Sequence, residues 1–227
     1  AACGLDPTQI EFFLKSLRKH YDDEILFLVR KEDFKTKEFL KIYKCQYMEV
    51  AIHRFDIQLK RYLFFLNFIK KHKYKNILFC DSRDIYFQAN PFDYVYKGSI
   101  NYFLEDKKIK DCQFNSEWMI KTYGYSTYLD LSENIISCGG TILADHNSME
   151  NFLKLMIEEL SKHKYKKKLK YILTFRRDKG GRGSDQAHGN YIAHKKLIPN
   201  SFYHSNASGP IATAYHLKNI KFNNKSQ

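Results

Sequence analysis

The sequence predicts an α/β domain, a mainly parallel central sheet flanked by helices, on three observations. Short continuous apolar runs at residues 24–29 and 76–80 are too brief for helices and suit strands buried on both faces. Segments with apolar residues at helical spacing alternate with these runs, the pattern of strand-helix-strand units. A chain of 227 residues with 44% hydrophobic and 16% aromatic side chains has enough apolar surface for one buried core and lacks a disordered composition. One domain over 1–227 is therefore expected, with no internal repeat and no linker.

The elements are expected in this order. After Asp6-Pro7, residues 8–21 carry Ile10, Phe13, Leu14 and Leu17 on one helical face, with Thr8 as the expected cap. Residues 24–29 form a strand, 34–43 a helix and 46–51 a second strand. A strongly apolar helix over 56–71 turns Leu59, Leu63, Phe64, Leu66 and Ile69 inward. The strand at 76–80 runs directly into Asp81. A strand at 101–104 ends in Glu105-Asp106, a short helix covers 116–122, and a strand over 135–144 is interrupted by Gly139-Gly140. Residues 148–163 form an amphipathic helix whose Leu153, Met156, Ile157 and Leu160 face inward.

Lys plus Arg number 38 against 25 Asp plus Glu, a formal charge of +13, so the surface field favours anions: nucleic acid, nucleotide phosphates or an acidic membrane face. Lysines crowd residues 162–170, and Arg176, Arg177, Lys179 and Arg182 come next among glycines. A solvated charged face explains this stretch, and peripheral contact with an anionic membrane is the alternative. Gly180-Gly181-Arg182-Gly183 is read as a loop, since neither the Walker pattern nor G-x-G-x-x-G occurs. The cysteines Cys3, Cys45, Cys80, Cys112 and Cys138 are odd in number and contain no C-x-x-C, which predicts reduced, mostly buried thiols. No apolar run reaches the ~18 residues of a membrane span and no charged-then-apolar leader is visible, so a soluble, cytoplasmic protein is expected.

Chemistry concentrates in residues 77–92. There Asp81, Arg83 and Asp84 leave the carboxyl end of a buried strand, where open α/β sheets bind ligands. Carboxylates at that edge suit a hard divalent cation, Mg2+ or Mn2+, which neutralises a diphosphate. A helix cap with a salt bridge to Arg83 explains the same two aspartates.

The string Asp81-Ser82-Arg83-Asp84-Ile85-Tyr86-Phe87-Gln88-Ala89-Asn90-Pro91-Phe92 closely resembles the D-x-D region of nucleotide-sugar glycosyltransferases with the GT-A fold. In several such families an aspartate pair precedes a short apolar run and then N-P-F or D-P-F. By this resemblance Asp84 takes the place of the metal-binding aspartate and Ser82 that of the first. Asp81 lies one residue earlier, giving D-x-x-D, and stands between metal ligand, ribose contact and support for Arg83.

Four further segments resemble these families in order. Ala1 to Asp6, with Ala2, Cys3 and Gly4, looks like the turn that cradles the base after a first strand, which is expected upstream of Ala1. Arg61 resembles the helix arginine near the nucleotide. Gly139-Gly140 resembles the backbone beside the sugar and acceptor, with a β-bulge as the plainer reading. Asp185-Gln186 and Asn190 resemble a D-Q-x-x-x-N segment whose aspartate contacts sugar hydroxyls near the reacting carbon, which makes Asp185 and Gln186 the catalytic candidates. Asp185 is equally placed to cap a helix, and His204 and His216 are candidates to complete a metal site.

The resemblance extends to small metal-dependent transferases of bacterial surface-polysaccharide loci, capsule or lipopolysaccharide, and of large algal viruses. It implies transfer of a hexose-type sugar from a nucleoside diphosphate, UDP by preference, to a glycan or lipid-linked glycan, with Mn2+ or Mg2+ as cofactor and retention of configuration. Nucleic acid is not an expected partner. Three rival readings stay open: a basic nucleic-acid-binding protein or metal-dependent nuclease, a sugar-phosphate nucleotidyltransferase, and a noncatalytic carbohydrate-binding protein.

Overall fold

The computed structural model describes residues 1–51, 57–174 and 184–213. Helix α1 (Pro7–Arg18) begins at a capping box: the Asp6 carboxylate accepts from Thr8 N–H, and the Gln9 side chain accepts from Asp6 N–H. The cap is therefore Asp6 rather than Thr8, whose hydroxyl also donates to Asp6 at 2.8 Å. Next come β1 (Leu26–Val29), α2 (Phe34–Ile42), β2 (Gln46–Glu49), α3 (Ile57–Ile69), β3 (Asn76–Cys80), β4 (Ile85–Phe87) and β5 (Ile100–Lys108). A 3-10 turn leads to α4 (Gln113–Tyr123), α5 (Tyr125–Leu131), β6 (Ile135–Asp145), α6 (His146–Thr174), α7 (Ser184–His194), β7 (Ser201–His204) and β8 (Ile211–Thr213).

The protein is α/β, but its sheet is mixed rather than mainly parallel. β1 and β2 pair in parallel, as do β5 and β7, whereas β6 runs antiparallel between β3 and β5. The reversal comes from the connection after β5. Helices α4 and α5 do not cross a face of the sheet; they pack at the end of β5 around Ile109, Cys112, Met119, Leu131 and Ile136, and the chain returns beside β5. A short apolar run looks the same in either direction, so the sequence pattern carries no sign of this. The β5/β6 ladder shifts register twice, and the shift between Tyr102 and Leu104 falls where β6 carries its glycines. β4 and β8 form a separate antiparallel pair.

Alternation along the strands builds two cores. Phe79, Ile100, Tyr102, Ile142 and Ala144 face α3, α6 and α7, where they meet Tyr62, Leu66, Phe152, Leu153 and Ile192. Phe103 and Leu143 face the other way, onto α1, α2 and the β4/β8 pair. Leu153, Met156 and Leu160 are buried as expected, but Leu63 points to solvent and its neighbour Tyr62 is fully buried in its stead. All five cysteines are free thiols. Among the described residues no helix is long and apolar enough to cross a membrane.

Candidate functional site

At the carboxyl end of β3 the chain delivers Asp81 into a group of ionised side chains. The Asp81 N–H still bonds to Gly140 O of β6, so its backbone is fixed by the sheet while its carboxylate turns outward. Arg61, from the middle of α3, reaches that carboxylate at 2.6 Å and the Asp185 carboxylate, from the first turn of α7, at 2.8 Å. It also donates to the Tyr62 hydroxyl at 2.9 Å and lies over the rings of Tyr62 and Phe79. One cation thereby ties three elements together. Its side chain is 11% exposed, so the bridge is largely dry on the Asp185 side, while Asp81 keeps 47% of its side chain open to solvent.

The electrostatics are set by that geometry. Burial pushes the Asp81 carboxyl up, but the Arg61 charge and hydrogen bond, with the charge of Arg83, oppose it and hold Asp81 below the usual carboxylate range. Asp185 moves the other way: burial raises it, the Asp81 charge adds to this, and Arg61 offsets only part. Arg61 itself loses hydration on burial and is nonetheless held firmly protonated by Tyr62, Asp81 and Asp185. Gln58, also on α3, donates to Asp185 at 3.3 Å.

Gly139 and Gly140 of β6 are required by closeness. A Cβ at Gly140 would overlap the Asp81 carboxyl, and one at Gly139 would lie 2.6 Å from Gln186 Oε1. The interruption expected in this strand is thus a continuous strand whose missing side chains admit two neighbours. Gln186 Oε1 accepts from Gly139 N–H at 2.8 Å, and its Nε2 donates to Glu105 Oε1 at 3.1 Å and Ser137 O at 3.2 Å. Asn190, one turn later, exchanges hydrogen bonds with the Ser137 backbone. Gln186 and Asn190 therefore dock α7 onto β6 and aim Asp185 at Arg61, which gives the spacing of these residues a structural cause.

The amino-terminal turn approaches the same edge. Ala2 N–H bonds to Leu28 O of β1 at 2.8 Å, Cys3 Sγ reaches the same oxygen, and Gly4 turns the chain with φ of +69°, a left-handed conformation that favours glycine. Asp33 receives Gly4 N–H at 2.9 Å and Arg30 N–H at 2.8 Å, and the Arg30 guanidinium stands over Gly4. Burial pushes the Cys3 thiol up to about 11. Ser82 is buried and its hydroxyl meets Ala1 O at 3.4 Å, so the turn and the end of β3 are in contact.

Arg83 and Asp84 are exposed beyond Ser82. Desolvation by the surrounding protein raises the Asp84 carboxyl, with Arg83 opposing and Asp81 adding. Asn90-Pro91-Phe92 is a turn: Asn90 Oδ1 accepts Phe92 N–H at 3.0 Å and the Tyr96 hydroxyl donates to Pro91 O. The turn follows β4, and Gln88, just after that strand, donates to the Ala207 and Gly209 carbonyls.

His204 is spoken for by packing. It is buried, stacks on Phe103, meets Tyr94 and Tyr96 edge-on, and bonds Asn101 Oδ1 through Nε2 at 3.0 Å; burial lowers its pKa. Among the described residues no group of three or more His, Cys, Asp or Glu side chains is arranged to hold a metal ion. His216, the side chains of the lysine run from residue 163 onward, and the loop at 180–183 lie outside the described residues.

Sequence reasoning missed Glu105, Gln58 and Arg30. Glu105 lies within β5 beside Gln186, and burial, with the charges of Asp106 and Asp84, pushes its carboxyl up to about 7 against the Gln186 hydrogen bond. Its position directly after the apolar run of β5 was the available signal. Neither the protein-family models nor the curated proteins give a match to the chain.

Proposed function

We propose that the protein is a glycosyltransferase of the GT-A type that moves a hexose-type sugar from a nucleoside diphosphate, by preference UDP, to a glycan or lipid-linked glycan acceptor. The observation that carries this reading is the exposed Asp84 carboxylate two residues past the buried Ser82, beside the Arg61-bridged Asp81 and Asp185 and the side-chain-free wall of Gly139-Gly140. A site with carboxylates and cations at its mouth and bare backbone at its side suits a ligand with a charged diphosphate and a hydroxyl-rich ring.

The donor set fits a hard divalent cation. Asp84 offers carboxylate oxygens to solvent and Asp81 lies close by, and Mg2+ or Mn2+ is commonly held by one or two carboxylates with phosphates and water completing the shell. Such an ion, when bound, supplies Lewis-acid stabilisation of the departing diphosphate. Arg83 is available to pair with phosphate, the turn of Ala2, Cys3 and Gly4 faces the base, and Asp185 meets sugar hydroxyls. In a retaining transfer the anomeric C–O bond to the diphosphate breaks, the acceptor oxygen bonds that carbon, and the acceptor proton passes to the departing phosphate oxygen. Arg61 touches no substrate in this scheme; it orients Asp81 and Asp185 and favours the charged form of each.

Titration calorimetry with UDP tests the reading. Binding is expected with Mn2+ and lost with a chelator, and Asp84→Asn should abolish the metal-dependent part while leaving the thermal midpoint unchanged, because Asp84 is exposed. Equal UDP affinity with and without Mn2+ would sink it. Slow Mn2+-dependent hydrolysis across a panel of nucleotide sugars, read by mass spectrometry, identifies the donor.

A further inference from the structure

Arg30 directly follows the last residue of β1, and its backbone is fixed on both sides. Val29 O accepts Val50 N–H at 2.8 Å, and Asp33 Oδ2 accepts Arg30 N–H at 2.8 Å together with Gly4 N–H at 2.9 Å. The side chain lies against the amino-terminal turn: a Cβ at Gly4 would stand 3.0 Å from Arg30 Nη1, so the guanidinium rests on bare backbone there. The side chain is 24% exposed.

A guanidinium carries five N–H donors, and one drawn out of water needs acceptors for them. Arg18 shows how this chain meets that need, donating to the carbonyls of Tyr21, Asp23, Tyr43 and Lys44. Among the described residues the Arg30 guanidinium has no such acceptor. Its Nε is buried without a hydrogen-bond partner, and the exposed Glu32 carboxylate stays 4.0 Å from Nη1, too far for a hydrogen bond. An unsatisfied buried donor destabilises the free protein, which points to an acceptor that arrives with a ligand.

The neighbouring groups define the chemistry of that ligand. Asp33 makes no side-chain cap to α2, and among the described residues its Oδ1 accepts no hydrogen bond, so an acceptor oxygen stands on the same turn as the donor fork. Phosphate offers acceptors alone and is repelled by this carboxylate. A flat ring edge that sets a ring N–H beside a carbonyl satisfies both groups. Uracil and guanine carry such an edge, whereas cytosine and adenine put an amino donor where the carbonyl stands. The missing side chain at Gly4 lets a ring lie close to the backbone.

We propose that Arg30 is a specificity-determining residue of the base subsite, donating to the carbonyl of an oxo base, uracil or guanine, while Asp33 accepts the ring N–H. The inference deepens the transferase reading and rests on it for the remainder of the nucleotide. The base, on binding, relieves the unsatisfied guanidinium of the free protein.

The test is titration calorimetry of UDP, GDP, CDP and ADP, each with and without Mn2+, on the parent, Arg30→Met and Arg30→Lys, together with the thermal midpoints of the ligand-free proteins. The parent is expected to bind UDP or GDP at least about tenfold more tightly than CDP and ADP. Arg30→Met should weaken the preferred nucleotide by about tenfold to a hundredfold and leave CDP and ADP unchanged. It should also hold or raise the ligand-free midpoint, because no hydrogen bond is lost and an unsatisfied charge is removed. Arg30→Lys keeps the charge without the fork and should fall between the two. The proposal is overturned if the parent binds all four nucleotides alike or if Arg30→Met weakens all four equally. It is also overturned if Arg30→Met lowers the ligand-free midpoint while the base preference survives, which makes Arg30 a residue of the fold. The transferase reading fails separately. UDP affinity indifferent to Mn2+ sinks that reading and leaves an Arg30-dependent base preference standing, whereas Mn2+-dependent UDP binding without such a preference overturns this inference alone.

Discussion

Replacing Arg61 by alanine removes the cation that spans two carboxylates, and the structure sets the size of the loss. Arg61 is 11% exposed and Asp185 16%, whereas Asp81 is 47% exposed. Taking one partner from a buried ion pair costs about 3–5 kcal/mol, chiefly because the other charge stays behind without compensation. Asp81 can rehydrate, so only the Asp185 half carries that cost in full, and the expected destabilisation of Arg61→Ala is about 3 kcal/mol at pH 7. For a chain of this size each kcal/mol moves the thermal midpoint by about 2–4 °C, a drop of about 6–12 °C. The pH dependence gives an independent reading. Without Arg61 the buried Asp185 carboxyl rises further above its ordinary value of 3.8, and an acid raised in the folded state is most favourable below its unfolded value and loses that stability as pH rises through the folded one. The gap between variant and parent should therefore be widest at neutral pH and close toward pH 4. Adding Asp185→Asn to the variant removes the stranded charge and should recover part of the loss. Urea unfolding at both pH values is the assay. A single variant within about 1 kcal/mol of the parent, the range of a surface pair, would refute the reasoning, as would a double variant no more stable than the single.

Much of the site was legible because strand ends are legible. The apolar run at Asn76–Cys80 had to be a buried strand, and a buried strand hands the residues after its carboxyl end to an edge of the sheet; Asp81, Ser82, Arg83 and Asp84 needed no further information. Resemblance puts Arg61 near the site, yet its role comes only from tertiary contact, since helical spacing does not say that it and Asp185, far apart in sequence, share a charge cluster. Gln186 reads in the sequence as a candidate catalytic residue, and the structure engages both ends of its amide in holding α7 to β6. Local chemistry also hid some elements. β4, β7 and β8 have only three or four residues, and their pairing is decided by partners distant in the chain, such as Ile85 with Thr213. The antiparallel course of β6 belongs to the same class, because direction is a property of the connection and not of the strand.

Three further outcomes are expected. Gly140→Ala drives a methyl group into Asp81, so it should cost about 1–3 kcal/mol by overpacking and displace the Asp81 to Arg61 contact, read by thermal unfolding together with loss of UDP binding. Asn90→Ala deletes the side-chain acceptor of Phe92 N–H and should cost about 1 kcal/mol in urea unfolding, since this asparagine closes a turn and is assigned no ligand. Glu105→Gln probes the carboxyl that burial raises from 4.5 to about 7. A carboxyl raised on folding stabilises the protein fully below its unfolded value and loses that contribution as pH climbs through its folded value, so the parent should weaken between pH 5 and pH 8 by up to about 3 kcal/mol at 1.36 kcal/mol for each pKa unit. Gln at this position keeps an oxygen for the Gln186 Nε2 donor and has no proton to lose, so the variant should hold its stability over that interval while the parent declines. If parent and variant lose stability in parallel from pH 5 to pH 8, the titrating group is elsewhere, and Glu105 is ionised in the folded protein across the whole range.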